Sequence, residues 1–75
     1  MPAIPLSYVD IAADITARIQ AGEYRPGDKL PSYSKLADLY SVSFSTAARA
    51  VALLRDRGVV IGSPGRGVYV RERAE

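Results

Sequence analysis

The 75-residue chain contains no cysteine and no histidine. The first absence excludes disulfides and thiolate metal sites, and the second removes the most versatile acid–base side chain. Its apolar runs fall far short of the roughly 20 residues needed to span a bilayer. The start, MPAIPLSYVD, has no basic segment followed by an apolar one, so no secretory signal is expected. There is no Gly-rich phosphate loop of the Walker or Rossmann kind, and no carboxylates cluster for acid–base work. These absences argue against an enzyme, a cofactor, a metal site and a membrane protein. The expected location is the cytoplasm, in association with the nucleoid.

What is present describes a folded globule. The chain is 48% hydrophobic and 24% charged, without low-complexity tracts or repeats, which predicts one domain over 1–75 with its core at about 8–70. A chain this short buries only about 60% of its unfolded surface, so the core is small. The net charge of +2 hides an asymmetry. Residues 1–24 hold one Arg against three acids, while residues 25–75 hold nine Lys and Arg against five acids. Basic charge gathered in one part of the chain suits a face for polyanions, although a solvated surface has the same look.

Ser7 opens the first pattern. Tyr8, Ile11, Ala12, Ile15 and Ile19 recur at helical spacing, with Asp10, Asp14, Arg18 and Gln20 opposite. Ser7 is the expected cap, and Asp10 the acid of a capping box. Gly22 suits the position after this helix, and Pro26-Gly27 suits a turn. A second, shorter helix is expected after Pro31, capped by Ser32, with Leu36, Leu39 and Tyr40 as its buried stripe. Within VSFSTAARAVALL (42–54), Ser43 caps a third helix. Ala47, Ala50 or Val51, and Leu54 face inward there; Ser45, Ala48, Arg49, Ala52 and Arg55 face outward. Gly58 ends it. The period then changes: VVI (59–61) and VYV (68–70) flank GSPGRG, which predicts a hairpin with a Gly- and Pro-rich loop. Leu30 is a candidate for a strand of one or two residues. The predicted class is mainly α with a small β-hairpin wing. It is a winged helix-turn-helix of three helices plus a two- to three-stranded sheet.

Three stretches, GEYRPGDKLPS, LADLYSVS and RDRGVV…GRGVYV, resemble the DNA-binding domain of GntR-type bacterial transcriptional regulators. The likeness runs from about Tyr8 to Val70, and its most specific part is G-x-x-x-P-G-x-x-L-P-S. The resemblance implies a winged helix that binds operator DNA as a two-fold dimer, with the third helix in the major groove and the wing reaching the minor groove. It also implies an acidic residue and an arginine where this chain has Tyr33 and Ser34, glycine at Ser41, and arginine at Phe44 and Ala48. Here an arginine stands next door instead, at Arg49.

The candidate DNA-binding residues are Ser32, Tyr33, Ser34, Lys35, Ser43, Phe44, Ser45, Thr46, Arg49, Gly65, Arg66 and Gly67. Helix amino ends carry unpaired N–H groups and partial positive charge, and small hydroxyl side chains let a phosphate approach them. Ser32 and Ser43 are helix caps on either reading. Phe44 suits a thymine methyl, a contact folded back on the domain, or an anchor for another protein. Arg49 suits guanine O6 and N7, a phosphate, or plain solvation. Tyr33 and Lys35 suit backbone phosphate. Arg66, between Gly65 and Gly67, suits a narrow minor groove or a solvated hairpin tip. Ser41 stands where the turn calls for a left-handed residue.

The function expected is sequence-specific binding of double-stranded DNA by a regulator, acting as a repressor. The alternative is a winged helix for protein–protein contact. Members of the resembling family carry a C-terminal effector-binding domain, and this chain stops at RERAE, so no small-molecule effector domain is expected in it. An excised domain and a short natural regulator both fit; the native-looking start favours the second. The expected partner is an operator with repeated or palindromic half-sites, bound cooperatively by a chain that is monomeric in solution.

Overall fold

The computed structural model describes residues 7–72. The ends of the expected 1–75 span, residues 1–6 and 73–75, lie outside the described residues. Three helices are followed by a hairpin: α1 (Tyr8–Gln20), α2 (Tyr33–Tyr40), α3 (Phe44–Asp56), β1 (Val60–Ser63) and β2 (Gly67–Val70). Ser7 caps α1 by accepting the Asp10 N–H, and the Asp10 carboxylate accepts the Ser7 N–H in return, completing the capping box. Ser32 and Ser43 cap α2 and α3 with the hydroxyl alone, accepting the Lys35 and Thr46 N–H groups without a returning carboxylate.

All three helices end alike. Just past each helix one N–H reaches back five residues to a carbonyl of the last turn: Glu23 to Arg18 O, Val42 to Ala37 O and Val59 to Leu54 O. This closure needs a left-handed residue, and Gly22 (φ 87°) and Gly58 (φ 75°) supply it after α1 and α3. After α2 the same place is held by Ser41 at φ 55°, the one left-handed residue other than glycine among the described residues. A side chain there costs roughly 1 kcal/mol.

The core joins all the elements. Ile11, Ala12 and Ile15 of α1, Leu36 of α2, and Ala47, Ala50, Val51 and Leu54 of α3 are fully buried, with Leu30, Val60 and Val70 beside them. Ala47, Ala50, Val51 and Leu54 are the inward positions that helical periodicity selects. Leu39 departs from expectation, being 57% exposed. The eight-residue α2 packs on α3 alone among the helices it meets broadly. Its inner face follows Tyr33, Leu36, Ala37 and Tyr40, which leaves Leu39 on the flank.

The hairpin is longer and its loop tighter than expected. Val60 pairs with Val70, Ile61 with Tyr69, Gly62 with Val68 and Ser63 with Gly67. Gly62, Ser63 and Gly67 therefore belong to the strands. The reason is a turn at Ser63–Arg66, closed by the Arg66 N–H on Ser63 O at 2.9 Å, with Pro64 and Gly65 in the second and third places. Lys29 bridges Tyr69 on the other side of β2, and the Leu30 N–H reaches Val68 O at 2.8 Å. This is the short third-strand contact expected near Leu30.

One polar cluster ties α1 to α2. The Tyr40 hydroxyl donates to Asp14 at 2.6 Å, and Arg18 pairs with the same carboxylate at 2.8 Å and with Glu23 at 3.1 Å. The Tyr40 and Arg18 hydrogen bonds hold the Asp14 carboxyl below the usual range. Partial burial, reinforced by the Asp14 charge, pushes the Tyr40 hydroxyl up to about 12. Asp14 is more acidic in the folded state, so its contribution is present above its ordinary pKa and is lost as pH falls through the folded one. Tyr40 is less acidic when folded, so its contribution is present below about 10 and fades as pH rises toward about 12.

Two stability measurements follow from this frame. Ser41→Gly should raise the melting temperature by a few degrees, since it removes a strain of about 1 kcal/mol in a small domain; a lower melting temperature would contradict the strain. Tyr40→Phe should cost about 1 kcal/mol near pH 7, a modest figure because the cluster is half open to solvent. Its deficit against the parent chain should shrink as pH falls below the Asp14 pKa and again above about pH 10, measured by urea unfolding across pH.

Candidate nucleic-acid interface

The amino ends of α2 and α3 are built alike and meet. Ser32 Oγ accepts the Lys35 N–H at 3.1 Å, and Ser43 Oγ accepts the Thr46 N–H at 3.1 Å. The Ser43 hydroxyl also lies 2.9 Å from that of Thr46 and 3.5 Å from that of Ser45. Among the described residues, no hydrogen bond engages the N–H groups of Tyr33, Ser34, Phe44 or Ser45. These are the first two amides of each helix, available to an acceptor outside the protein.

Tyr33 and Phe44, the first residues of the two helices, join these ends. Their rings lie 5.7 Å apart at 64°, edge to face. Phe44 is nonetheless 56% exposed, an apolar knob on the surface that leans on Tyr33, whose ring packs on the core. Phe44 thus combines two of its expected places: it contacts the domain and still faces outward. Ser34, Lys35, Ser45 and Arg49 are exposed around it. Arg49 does not float free, because its guanidinium carbon stacks 4.4 Å above the centre of the Tyr8 ring.

Between the start of α2 and the wing lies an open groove of about 720 Å³. Ser32 and Tyr33 line one side and Gly65, Arg66 and Gly67 the other, so the groove joins the expected helix-end residues to the expected wing residues. Lys29 and Arg55 also line it, and no acid does. The two ion pairs among the described residues are both made by Arg18 on α1. Lys29, Lys35, Arg49, Arg55 and Arg66 make no ion pair among the described residues, and the three of them that line the groove give it a basic lining.

Lys29 and Arg55 were missed by sequence reasoning as members of this face. Each crosses a wing glycine. A Cβ on Gly62 would sit 3.0 Å from Arg55 Nη1, and a Cβ on Gly67 would sit 2.7 Å from Lys29 Cε. The bare backbone of the wing is a bed for two basic side chains that reach the groove from elsewhere. The signal in the sequence is faint: glycines at two strand positions, where they weaken a strand unless something passes close by.

Comparison with known proteins agrees with this architecture. Residues 7–70 match the model of the bacterial regulatory proteins of the gntR family. The chain belongs to the GntR family. It is 36% identical over 67 residues to the uncharacterised helix-turn-helix transcriptional regulator YdcR of Escherichia coli K12, covering 89% of this chain and 14% of that protein. It is 38% identical over 63 residues to the Exu regulon transcriptional regulator of the same strain, covering 84% and 24%. The chain therefore spans a quarter or less of the length of these relatives. Among solved structures, a GntR-family regulator from Listeria monocytogenes superposes with a TM-score of 0.84 at 35% identity, covering 88% of this chain and 58% of that one. The DNA-binding domain of AraR in complex with operator ORX1 superposes at 0.82 and 26% identity, covering 93% and 92%. The fold is thus the GntR winged helix, and its relatives are transcriptional regulators rather than enzymes.

The two glycine beds differ in a testable way. Gly62 has no left-handed φ and needs only that Arg55 move aside, whereas Gly67 sits at φ 128°. Gly62→Ala should change stability by less than about 0.5 kcal/mol, while Gly67→Ala should cost roughly 1–2 kcal/mol. Thermal melts of the two variants decide it; equal losses would mean that side-chain crowding rather than backbone conformation sets the cost.

Proposed function

We propose that this chain is a sequence-specific reader of double-stranded DNA that acts in bacterial transcription control as a repressor. The observation that carries the reading is the convergence at Tyr33 and Phe44. Two hydroxyl-rich helix ends meet there, beside a groove lined by three cations and no acid. In this reading α3 enters the major groove. Ser45, Thr46, Phe44 and Arg49 face base edges, and Ser43 presents the helix end. Ser32, Tyr33, Ser34 and Lys35 at the start of α2, with Lys29 and Arg55 across the wing glycines, hold backbone phosphate. Arg66 enters the minor groove from the turn, where Gly65 and Gly67 let the backbone approach.

Repression needs least of such a molecule, because a compact domain seated astride an operator excludes other proteins without a further surface. Half-sites in a palindrome or repeat, bound cooperatively by chains that are monomeric in solution, are the arrangement we propose. Residues 8–70 are the DNA-binding unit, working in the cytoplasm at the nucleoid. The AraR domain bound to its operator supports the mode of binding by fold and by 26% identity.

Selection from a random duplex library, followed by titration of the enriched sequence at several salt concentrations, tests this reading. With Lys29, Lys35 and Arg55 on phosphates and Arg66 in the minor groove, about four cations displace counterions, and log affinity should fall with log salt at a slope of roughly −4 per bound chain. Arg55→Ala and Arg66→Ala should each flatten that slope by about 1. Failure to enrich any motif, together with salt-insensitive capture of a protein partner through Phe44, would replace DNA reading by a protein-contact role.

A further inference from the structure

Arg49 is the one basic residue between Ser43 and Leu54, so the first three turns of α3 offer a single guanidinium. Among the described residues it makes no ion pair and no side-chain hydrogen bond. Its recorded contact is the Tyr8 ring, 4.4 Å from the guanidinium carbon. A guanidinium lying parallel to that ring meets it with its flat face. The donors that recognise a base lie in the plane, along the edge, so stacking and base recognition are compatible at the same moment.

Tyr8 is itself firmly placed. It is the first residue of α1, where the Ser7–Asp10 capping box sets the backbone, and its half-buried ring packs on the core. α1 in turn packs along α3 through Ile11, Ala12 and Ile15. The platform under Arg49 is therefore supplied by a different helix from the one that carries the arginine, and it restricts a long side chain before any ligand arrives.

We propose that Tyr8 is a positioning residue for DNA reading: its ring holds the Arg49 guanidinium flat on the outer face of α3, with its edge presented to O6 and N7 of one guanine per half-site. This rests on the DNA-reading function proposed above. It goes further by naming a base, a chemical group on that base, and a residue outside the helix-turn-helix that controls the contact.

The probe is the duplex that the full chain enriches from a random library, remade with 7-deazaguanine at each guanine in turn to remove N7. One position per half-site should weaken the parent chain about 5-fold or more. Arg49→Ala should abolish that penalty. Tyr8→Leu should weaken binding to the unmodified duplex roughly 2- to 5-fold and shrink the 7-deaza penalty, while Tyr8→Phe, which keeps the ring, should retain both. A purely structural role for Tyr8 would lower affinity and leave the 7-deaza penalty intact, and that result overturns the proposal. So does a penalty that survives Arg49→Ala, or one found at no guanine, which would leave Arg49 on a phosphate. Should Tyr8→Leu unfold, the parent chain still decides the matter. Stacking requires the Arg49 Cδ protons to be shifted upfield in its NMR spectrum, and ordinary shifts for them would sink the idea. Enrichment of no duplex at all would instead count against DNA reading itself.

Discussion

The close approach of α3 to its two neighbours is the constraint on which the rest of this molecule depends. Ala12 on α1 and Ala47 and Ala50 on α3 are completely buried. Alanine at these places lets helix axes pass near the short end of the usual 8–10 Å range. Larger side chains would separate α1 from α3, and with that the Tyr8 ring would leave Arg49. The same packing, through Leu36 on α2, brings two helix starts within the reach of one aromatic pair. A core of this size has few spare contacts, so the placement of the outer face is coupled directly to the placement of a few methyl groups.

Charge is segregated along the same lines. The acids that form ion pairs, Asp14 and Glu23, are tied up by Arg18 on α1, and Tyr40 locks that cluster to α2. Lys29, Arg55 and Arg66, which line the groove, make no ion pair among the described residues. An overall charge of only +2 is therefore compatible with a strongly polarised molecule. The wing adds to this by omission: glycine at 62 and 67 gives up side chains so that Arg55 and Lys29 can lie across it.

Where the resemblance to the GntR family implies an acid and several arginines, at Tyr33, Ser34, Phe44 and Ala48, this chain shows an aromatic pair, and its one α3 arginine outside the last turn lies over a tyrosine. The left-handed Ser41, where the same turn after α1 and α3 uses glycine, shows that the scaffold tolerates such substitutions at a modest cost. The scaffold is shared with the relatives.

Most of the frame was legible from the residues. Capping serines at 7, 32 and 43, the inward set Ala47, Ala50, Val51 and Leu54, and the glycines after α1 and α3 all act within a turn or two of chain, where local geometry dominates. Periodicity failed at Leu39 because an eight-residue helix shows only about two turns, too few to fix which flank meets its neighbour. It failed at Gly67 because strand pairing depends on the partner across the turn. The hydroxyls, Phe44, Arg49 and Arg66 were visible as candidates, since their types and positions are local facts. That Phe44 leans on Tyr33, that Arg49 rests on Tyr8, and that Lys29 and Arg55 cross the wing were decided by tertiary structure alone. Those pairs join residues 7 to 41 positions apart in the chain, and each spans two different elements or an element and a loop, so packing sets their distance.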